Sequence, residues 1–422
     1  MHQRLILKAQ GKKKPIVQYD SDDSLSSDDE ELMSNSYVGK LYNNRYSILK
    51  YLGKGTFSRL WIVYDILTNN FRAMKLQNKQ DIEEGKNEVK LIGNIDHENI
   101  IKIYDHFFEE KTNTLGIVLE LLGDDLFTML DIFDTIPIDI VKNIFRQILT
   151  GIGVLHSKNI IHTDIKLENI LINKISPKNN RFISYIKDNL DIDYHSILEK
   201  SFPEDYESYT HDKKKKVKRR LKLKSIKVVN SKLLDIVNNY RNIKIEDTEN
   251  TYNQIDFHNI NIKIIDLGNG ELINDISNDE ISYKLYRSPE NILGYEYDTK
   301  TDIWTLGCIF YEIITKQYLI EVGKSKDDID RDRMLLSEMQ SILGKIPKDF
   351  AINAEYSEDL FDRKGRILKY RDIKQKDIKE ILSEFLNEKD NEDFLNLLFK
   401  MLNYEPNNRF NISECLSHNF LK

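Results

Sequence analysis

The sequence predicts an α+β, bilobal fold in which a small five-stranded antiparallel N-lobe with one helix precedes a larger helical C-lobe. Short apolar runs between polar turns dominate residues 46–121, whereas apolar residues at helical spacing dominate after Gly123. This change of period places the N-lobe at residues 39–122 and the C-lobe at residues 123–422.

Five strands are predicted where apolar and β-branched residues form runs that are bounded by turn residues. They are Tyr46–Leu52, Leu60–Asp65, Arg72–Leu76, Ile101–Phe108 and Leu115–Leu121. Between the third and fourth runs, Val89, Ile92 and Ile95 recur at near-helical spacing. This spacing predicts one helix, over residues 82–95, that interrupts the sheet.

The C-lobe is predicted from apolar residues that recur every three or four positions. The first helix carries Ile140, Ile144, Ile148, Ile152 and Leu155, and further helices are expected over residues 302–315, 332–343 and 393–402. The two cysteines, Cys308 and Cys415, fall inside apolar patterns. We therefore expect them to be small core residues without a disulfide bond.

Two segments depart from both patterns. Residues 1–38 are rich in serine and acidic residues and offer little to bury, which predicts a disordered tail. Residues 174–258 are rich in lysine and asparagine and predict an insertion within the C-lobe. The basic run at residues 213–220 has two interpretations, a nuclear-import or nucleic-acid patch and, as the commoner case, a solvated charge cluster.

The composition restricts the partners and the compartment of the protein. The 62 Lys and Arg residues and 69 Asp and Glu residues give a net charge of −7, so that binding of nucleic acid over the whole surface is not expected. No run approaches the roughly 18 apolar residues of a membrane helix, and no membrane partner is expected. The scarcity of cysteine favours a reducing, intracellular compartment.

A glycine-containing loop joins the first two predicted strands. It consists of Leu52, Gly53, Lys54, Gly55, Thr56, Phe57, Ser58, Arg59 and Leu60. Small residues in such a loop allow backbone N–H groups to approach the phosphates of a nucleotide. Taken alone the loop is a weak signal, because a glycine hairpin without a ligand has the same composition.

Lys75 lies in the middle of an apolar strand, where a charge is costly unless it is paired. Glu88, on the predicted helix, supplies a carboxylate for this pair, which leaves Lys75 to hold the α and β phosphates of a nucleotide. For Glu88 alone, a surface glutamate is the alternative interpretation.

The most specific segment is His162-Thr-Asp164-Ile-Lys166-Leu-Glu-Asn169, which has apolar runs on both sides. It matches the H-x-D-x-K-x-x-N pattern of a catalytic loop for phosphoryl transfer. Asp164 would accept the proton of the acceptor hydroxyl, and Lys166 would neutralise charge on the transferred group. Asn169 would bind Mg²⁺ through its amide oxygen.

A second Mg²⁺ ligand is predicted at Asp266, which ends the apolar run that starts at Ile262. Three further residues are expected to be structural. Glu290 and Arg409 would form a buried ion pair. Asp302 would accept hydrogen bonds from the backbone of the catalytic loop.

In their order and spacing, these motifs resemble those of the protein kinase family over residues 45–422. Within that family the chain is similar to the SR-protein kinases, which phosphorylate serines in the arginine-serine repeats of splicing factors. Thr163 and Leu267 carry this similarity, because they replace the arginine and phenylalanine of most kinases. The position of the insertion before Asp266 carries it as well.

The resemblance implies that the chain uses ATP and Mg²⁺ and acts on a protein substrate of the arginine-serine-rich class. Serine is the expected acceptor and threonine the alternative. Alignment to the family motifs places adenine between Leu52, Leu60, Ala73 and Leu122, beside a hinge that starts at Glu120. We expect a monomer in the cytoplasm, the nucleus or both.

Two departures from the family pattern concern regulation and the acceptor. Thr163 replaces an arginine that usually pairs with an activation-loop phosphate, which predicts activity without such a phosphate. Tyr283 stands where serine/threonine kinases usually have a threonine, which leaves the choice of acceptor less defined.

A third departure concerns substrate docking. The acidic residues expected in the docking groove of SR-protein kinases align with Gln317, Met334 and Ser341. Nearby acidic residues are candidates for the same role, because steering by a negative patch depends on the field more than on position. They are Asp327, Asp328, Asp330, Asp332 and Glu338.

Two other functions remain open from the sequence. A pseudokinase scaffold would keep the fold without phosphoryl transfer, although Lys75, Asp164 and Asp266 are all present. An RNA-binding protein would act through the basic run at residues 213–220, against the net charge of −7. ATP binding without transfer would indicate the first, and salt-sensitive RNA affinity through the basic run the second.

Overall fold

The structure is a computed structural model, which describes residues 36–55, 58–110, 112–133, 136–243, 260–277, 281–325 and 327–422. Three predicted features lie wholly or partly outside the described residues: the tail up to residue 35, the loop residues Thr56 and Phe57, and residues 244–258 of the insertion. Within the described ranges, every helix is too short or too polar to span a bilayer.

The N-lobe is a six-stranded sheet of order β1-β2-β3-β4-β6-β5 in which all neighbours are antiparallel. The strands are Leu41–Tyr42, Tyr46–Gly55, Ser58–Asp65, Asn70–Gln77, Ile103–Glu109 and Thr114–Leu119. The five predicted strands are confirmed. The additional strand β1 has only two residues, which is too short for a periodic pattern. Helix α1, Ile82–Ile92, confirms the predicted helix and ends three residues earlier.

Helices dominate the remainder of the chain. In chain order they are α2 Leu126–Ile132, α3 Ile138–Ser157, α4 Pro177–Asn189, α5 Tyr194–Lys200, α6 His211–Arg241, α7 Pro289–Leu293, α8 Lys300–Thr315, α9 Asp328–Leu343, α10 Lys348–Ile352, α11 Ser357–Leu360, α12 Ile378–Leu382, α13 Glu388–Met401 and α14 Ile412–Leu416. The C-lobe core forms between α3 and α8, where the Phe145 and Phe310 rings stack with centroids 3.7 Å apart.

Two small antiparallel sheets lie at the cleft side of the C-lobe. Strand β7, Ile160–Ile161, pairs with β10, Glu271–Leu272, and strand β8, Ile170–Ile172, pairs with β9, Ile262–Ile264. The loop between β7 and β8 carries Asp164, and Asp266 follows β9. These pairings bring the two segments together although about a hundred residues separate them in the chain.

The helices of the predicted insertion, α4 to α6, pack against the N-lobe sheet. They cover Leu49 on β2 and Ile62 and Tyr64 on β3. The covering side chains form one buried cluster of Phe182, Ile183, Ile186, Tyr194, Ile226, Val229, Leu233, Ile236 and Val237. Along the chain this segment lies within the C-lobe, but in the structure its apolar partners belong to the N-lobe.

The two cysteines are free and buried, as predicted. Burial raises the pKa of the Cys415 thiol to about 12 and the pKa of the Cys308 thiol further above its usual range. Both thiols therefore stay protonated and contribute through packing.

Candidate active site

Lys75, on β4, lies between the lobes and contacts two carboxylates. Its Nζ atom is 2.9 Å from Glu88 Oε2 on α1 and 2.7 Å from Asp266 Oδ1. Burial disfavours the charge of Lys75, but the two carboxylates more than offset this effect and raise its pKa. Burial also opposes ionisation of Asp266, yet the Lys75 ammonium lowers the pKa of Asp266. The predicted Lys75–Glu88 pair is present, and Asp266 shares it.

The catalytic-loop side chains form a second cluster. Lys166 Nζ donates to Asp164 Oδ2 at 2.8 Å. Asn169 Nδ2 donates to the backbone oxygen of Asp164 at 2.8 Å and to Asp164 Oδ2 at 3.2 Å. Burial disfavours the Lys166 charge, but Asp164 outweighs it and the pKa of Lys166 is raised. These bonds hold the Asp164 carboxylate in one orientation. They use only the amide nitrogen of Asn169, so that its amide oxygen remains available to bind another group.

Asp302, on α8, holds the catalytic loop through hydrogen bonds to its backbone. Its carboxylate accepts hydrogen bonds from the backbone N–H groups of His162 at 2.9 Å and Thr163 at 3.1 Å. Thr163 has φ +67°, a left-handed conformation that is strained for a β-branched residue. The predicted role of Asp302 is confirmed, and its bonds hold this strained turn.

The buried pair of Glu290 and Arg409 is also confirmed. Two parallel bonds of 2.6 Å join the Arg409 guanidinium to the Glu290 carboxylate. Both side chains are fully buried, so that loss of either partner would leave an uncompensated charge.

The segment after Asp266 is tied to both lobes. Thr163 Oγ1 donates to the Asn269 carbonyl at 2.8 Å, and Ser282 Oγ donates to the Thr163 carbonyl at 2.8 Å. From α1, Asn87 Nδ2 donates to the carbonyls of Gly268 at 2.9 Å and Gly270 at 2.7 Å. Sequence reasoning missed Asn87 and Ser282. The position of Asn87 directly before Glu88 was the available signal for its proximity.

A cavity of about 540 Å³ lies between the lobes and contains most of the predicted nucleotide contacts. Its lining includes Leu52, Gly53, Lys54, Ser58, Leu60, Ala73, Lys75, Glu88, Glu120, Leu122, Lys166, Asn169 and Asp266. The structure does not bring Arg59 into this lining. The Arg59 guanidinium instead lies over the Tyr37 ring, 5.9 Å from its centroid.

Several lining residues were missed by sequence reasoning, among them Ile101, Leu171, Ile265 and Asn179. Asn179 belongs to the insertion helix α4, and its Oδ1 accepts a hydrogen bond from Lys50 Nζ at 2.7 Å. The hinge residue Gly123 also lines the cavity, and a Cβ there would lie 1.9 Å from the Lys174 carbonyl oxygen. The hinge therefore requires glycine.

A second cavity, of about 600 Å³, opens on the other side of the catalytic loop. Asp164, Thr163 and Tyr283 line it, and Lys166 and Asp266 line both cavities. The arrangement suits a donor group in the first cavity and an acceptor group in the second, with Lys166 and Asp266 between them.

Asn169 and Asp266 fit a Mg²⁺ ion. They offer an amide oxygen and a carboxylate, which are hard oxygen donors. In the part of the chain that the structure describes, no three His, Cys, Asp or Glu side chains gather to hold a metal by themselves. An ion at these two residues would therefore complete its shell with water and nucleotide oxygens.

Tyr283 packs its ring against Tyr286 and Tyr318, with centroids 5.3 and 6.4 Å away. Tyr286 in turn donates from its hydroxyl to Glu312 Oε2 at 2.5 Å. Burial raises the pKa of Glu312 to about 7, and the nearby Glu168 carboxylate adds to the increase. Glu312 is buried and lines neither cavity, so that its contact with the site runs through its hydrogen bond with Tyr286.

The acidic residues considered for substrate docking are mostly paired within the chain. Asp328 contacts Arg331 at 2.5 Å, Asp330 contacts Lys369 at 3.0 Å, and Glu338 pairs with Lys376. Asp327 caps α9 by accepting from the Ile329 backbone N–H at 3.1 Å. The chain's own cations thus offset much of this acidic patch.

Comparison with known proteins gives consistent matches. The protein kinase domain family matches residues 46–183 and 240–421, and the gap falls within the predicted insertion. The serine/threonine-protein kinase SRPK of Physarum polycephalum is 29% identical over 429 residues, which cover 95% of this chain and 93% of that protein. SRSF protein kinase 3 of Mus musculus is 26% identical and covers 95% and 91%. Protein kinase dsk1 of Schizosaccharomyces pombe is 24% identical and covers 82% and 75%.

Proposed function

The chain belongs to the protein kinase family and is a protein serine/threonine kinase, and we propose that it phosphorylates serine in proteins rich in arginine and serine. Threonine is the alternative acceptor. The observation that carries the catalytic part of this proposal is the convergence of Lys75, Asp266, Asn169 and Asp164 on one cleft.

Protein kinases use ATP with Mg²⁺, which neutralises charge on the phosphates. We assign Lys75 to the α and β phosphates, with Glu88 as the carboxylate that orients it. Asn169 and Asp266 are the proposed Mg²⁺ ligands. The remaining proposed nucleotide contacts are Leu52, Gly53, Lys54, Gly55, Thr56, Phe57, Ser58, Arg59, Leu60, Ala73, Glu120 and Leu122. Arg59 would contribute through its backbone only, because its side chain points to Tyr37.

Asp164 is the proposed catalytic base. Its carboxylate lines the acceptor cavity and would take the hydroxyl proton as the acceptor oxygen attacks the terminal phosphorus. Lys166 lines both cavities and would neutralise charge on the phosphoryl group as the bond to the leaving diphosphate breaks. Their 2.8 Å contact supports a joint role.

One observation supports an arginine-rich substrate: the relatives are named as SRPK and SRSF protein kinases. The paired acidic residues on α9 support docking less strongly, since Asp328 and Glu338 already contact cations of the chain.

Activity without an activation-loop phosphate is the proposed regulatory property. Thr163 and Ser282 hold the segment after Asp266 through neutral hydrogen bonds, in the place where other kinases use an arginine and a phosphate. Phosphatase treatment should leave the rate of peptide phosphorylation unchanged, and a loss of activity would contradict this property.

The test of the function is transfer of labelled phosphate from Mg·ATP to an arginine-serine repeat peptide and to a matched lysine-serine peptide. We expect phosphoserine on the arginine peptide, and a fall in rate of about 10²–10⁴ in Asp164→Asn. Equal labelling of both peptides would keep the kinase and remove the arginine preference. ATP binding without transfer would instead establish a pseudokinase scaffold.

We further propose a monomer that resides in the cytoplasm, the nucleus or both. Light scattering of the purified full chain measures the first property, and a fluorescent fusion in cells measures the second.

A further inference from the structure

Helix α6 carries a row of cations along one side of its N-terminal half. The row consists of Lys213, Lys216, Arg220 and Lys227. They lie 21, 18, 14 and 7 residues before Leu234, and each spacing is close to a whole number of helical turns. All four therefore lie on the same side of the helix as Leu234. All four cations are exposed. Among the described residues, the ion pairs of α6 involve Lys214 and Lys232, which leaves this basic row without a carboxylate partner.

The basic row leads to the point where the chain joins the N-lobe. Asn230 Nδ2 donates to the Gly39 carbonyl at 2.9 Å. Gly39 has φ +81°, and a Cβ there would come within 2.9 Å of Leu234 Cδ1. Val38 packs against the apolar cluster that α6 forms with the sheet. Gly39 and Val38 therefore lie beside the end of the basic row, and the next residue, Tyr37, stacks on Trp61 at the other face of the sheet.

The chain that precedes this point has the complementary charge. Residues 20–31 contain seven acidic residues, and no lysine or arginine occurs between residues 15 and 39. The acidic residues are Asp20, Asp22, Asp23, Asp28, Asp29, Glu30 and Glu31. This acidic segment contains one apolar residue, Leu25. On α6, the side chain of Leu223 is exposed beside the basic row.

The tether is long enough for contact. From Asn230 to Lys216 the helix rises about 21 Å at ~1.5 Å per residue. From residue 37 back to Glu31 an extended chain spans about 20 Å at ~3.4 Å per residue. A short tether of this kind gives an effective concentration on the order of millimolar, so that a weak electrostatic contact is populated.

We propose that residues 20–31 dock on the basic row of α6 within the same molecule and shield it from RNA and other polyanions. The proposal does not depend on the kinase activity. It identifies the acidic segment as the partner of the basic run, in place of nucleic acid.

Carbodiimide cross-linking of the full chain, followed by mass spectrometry, tests this contact. We expect cross-links from residues 28–31 to Lys216 and Lys227 that decrease severalfold at about 1 M salt, where the Debye length is ~3 Å. The variant with Lys216→Glu, Arg220→Glu and Lys227→Glu should lose contact between the two segments, measured as energy transfer between dyes at Ser24→Cys and Ser231→Cys. The matched control with Lys345→Glu, Lys364→Glu and Lys374→Glu, which are exposed elsewhere, should retain it.

RNA binding distinguishes the two partners. Neutralising the segment with Asp28→Asn, Asp29→Asn, Glu30→Gln and Glu31→Gln should increase affinity for a 20-nucleotide single strand about tenfold or more. Equal RNA affinity of this variant and the wild type, with no cross-links in the wild type, would overturn the proposal and assign the basic row to RNA. Energy transfer that persists after charge reversal of the row would also overturn it.

Discussion

The cleft-side face of the N-lobe sheet has two halves with different tasks. Ile62 pairs with Ala73, and Ala73 pairs with Leu119, so that all three share one face. The half that carries Lys75, Leu60 and Leu119 opens to the cleft. The half that carries Leu49, Ile62 and Tyr64 is covered by α4 to α6. One sheet face thus combines a site held by charge pairs with a contact held by apolar packing, and substitutions should separate the two.

The largest expected effect is on the cleft half. Lys75→Met removes the cation that Glu88 and Asp266 hold, and kcat/KM should fall by about 10²–10³, the usual cost of one preorganised electrostatic contact. Steady-state phosphorylation of the repeat peptide measures it. The far-UV circular dichroism should match that of the wild type, and kcat/KM within tenfold of wild type would show that Lys75 is not the phosphate-binding cation.

Substitutions in the covered half should change the free energy of unfolding. Leu233 is fully buried against the sheet, and Leu233→Ala should lower the free energy of unfolding by about 2–5 kcal/mol. Denaturant titration measures the loss. Val228, which is 43% exposed on the same helix, provides the control, since Val228→Ala should change stability by less than about 0.5 kcal/mol. Equal effects of the two substitutions would show that α6 does not pack on the sheet.

Stability should also depend on pH through Glu312, which lies on α8 of the C-lobe, outside both halves of the sheet. Glu312 has its pKa raised from 4.5 to about 7, so that the folded state binds more protons than the unfolded state between these values. The stability that the protonated form contributes is present below pH 4.5 and is lost as pH rises through 7.

Glu312→Gln removes this titration and keeps an acceptor for Tyr286. The stability difference between variant and wild type should shift by up to about 3 kcal/mol between pH 4.5 and 7.5, at ~1.4 kcal/mol per pKa unit. Denaturant titrations at a series of pH values measure it. A difference that does not change with pH would mean that Glu312 titrates normally, whereas the Leu233→Ala effect should be independent of pH.

The smallest expected effect concerns the bond between Ser282 and the Thr163 carbonyl. Ser282→Ala removes one neutral hydrogen bond, which is worth about 0.5–1.5 kcal/mol. We expect a two- to tenfold fall in kcat, since the segment after Asp266 is less well held. Single-turnover kinetics with the repeat peptide measures it, and an unchanged rate would assign the ordering of this segment to Thr163 and Asn87.

The sequence predicts the fold and the cleft half well because their determinants are local. The catalytic loop places Asp164, Lys166 and Asn169 within six residues, and a strand alternation places Lys75 on the inner face. Hydrogen bonds to backbone carbonyl groups, and contacts between residues that are far apart in the chain, are not encoded in such short segments. Asn87 and Ser282 contact carbonyl groups, which carry no sequence signal.

The position of the insertion could not be predicted, because its partners Leu49 and Ile62 precede it by more than a hundred residues. The sequence does carry a signal for its helical structure. Apolar residues recur at helical spacing within the charged segment, which was interpreted from its charge as a solvated cluster or a nucleic-acid patch. They are Leu221, Val229, Leu233 and Ile236. The apolar stripe, rather than the charge, indicates that α6 has a partner.

The family match skips residues 184–239, which makes this segment look like a removable spacer in the design of a minimal catalytic domain. Its removal would uncover Leu49, Ile62 and Tyr64, which are at most 5% exposed in the intact chain. A contiguous apolar patch of this kind on an otherwise charged protein favours self-association. If a shortened enzyme precipitated, the cause would be the exposed apolar face of the sheet. Such an enzyme would lose solubility before it lost catalytic activity.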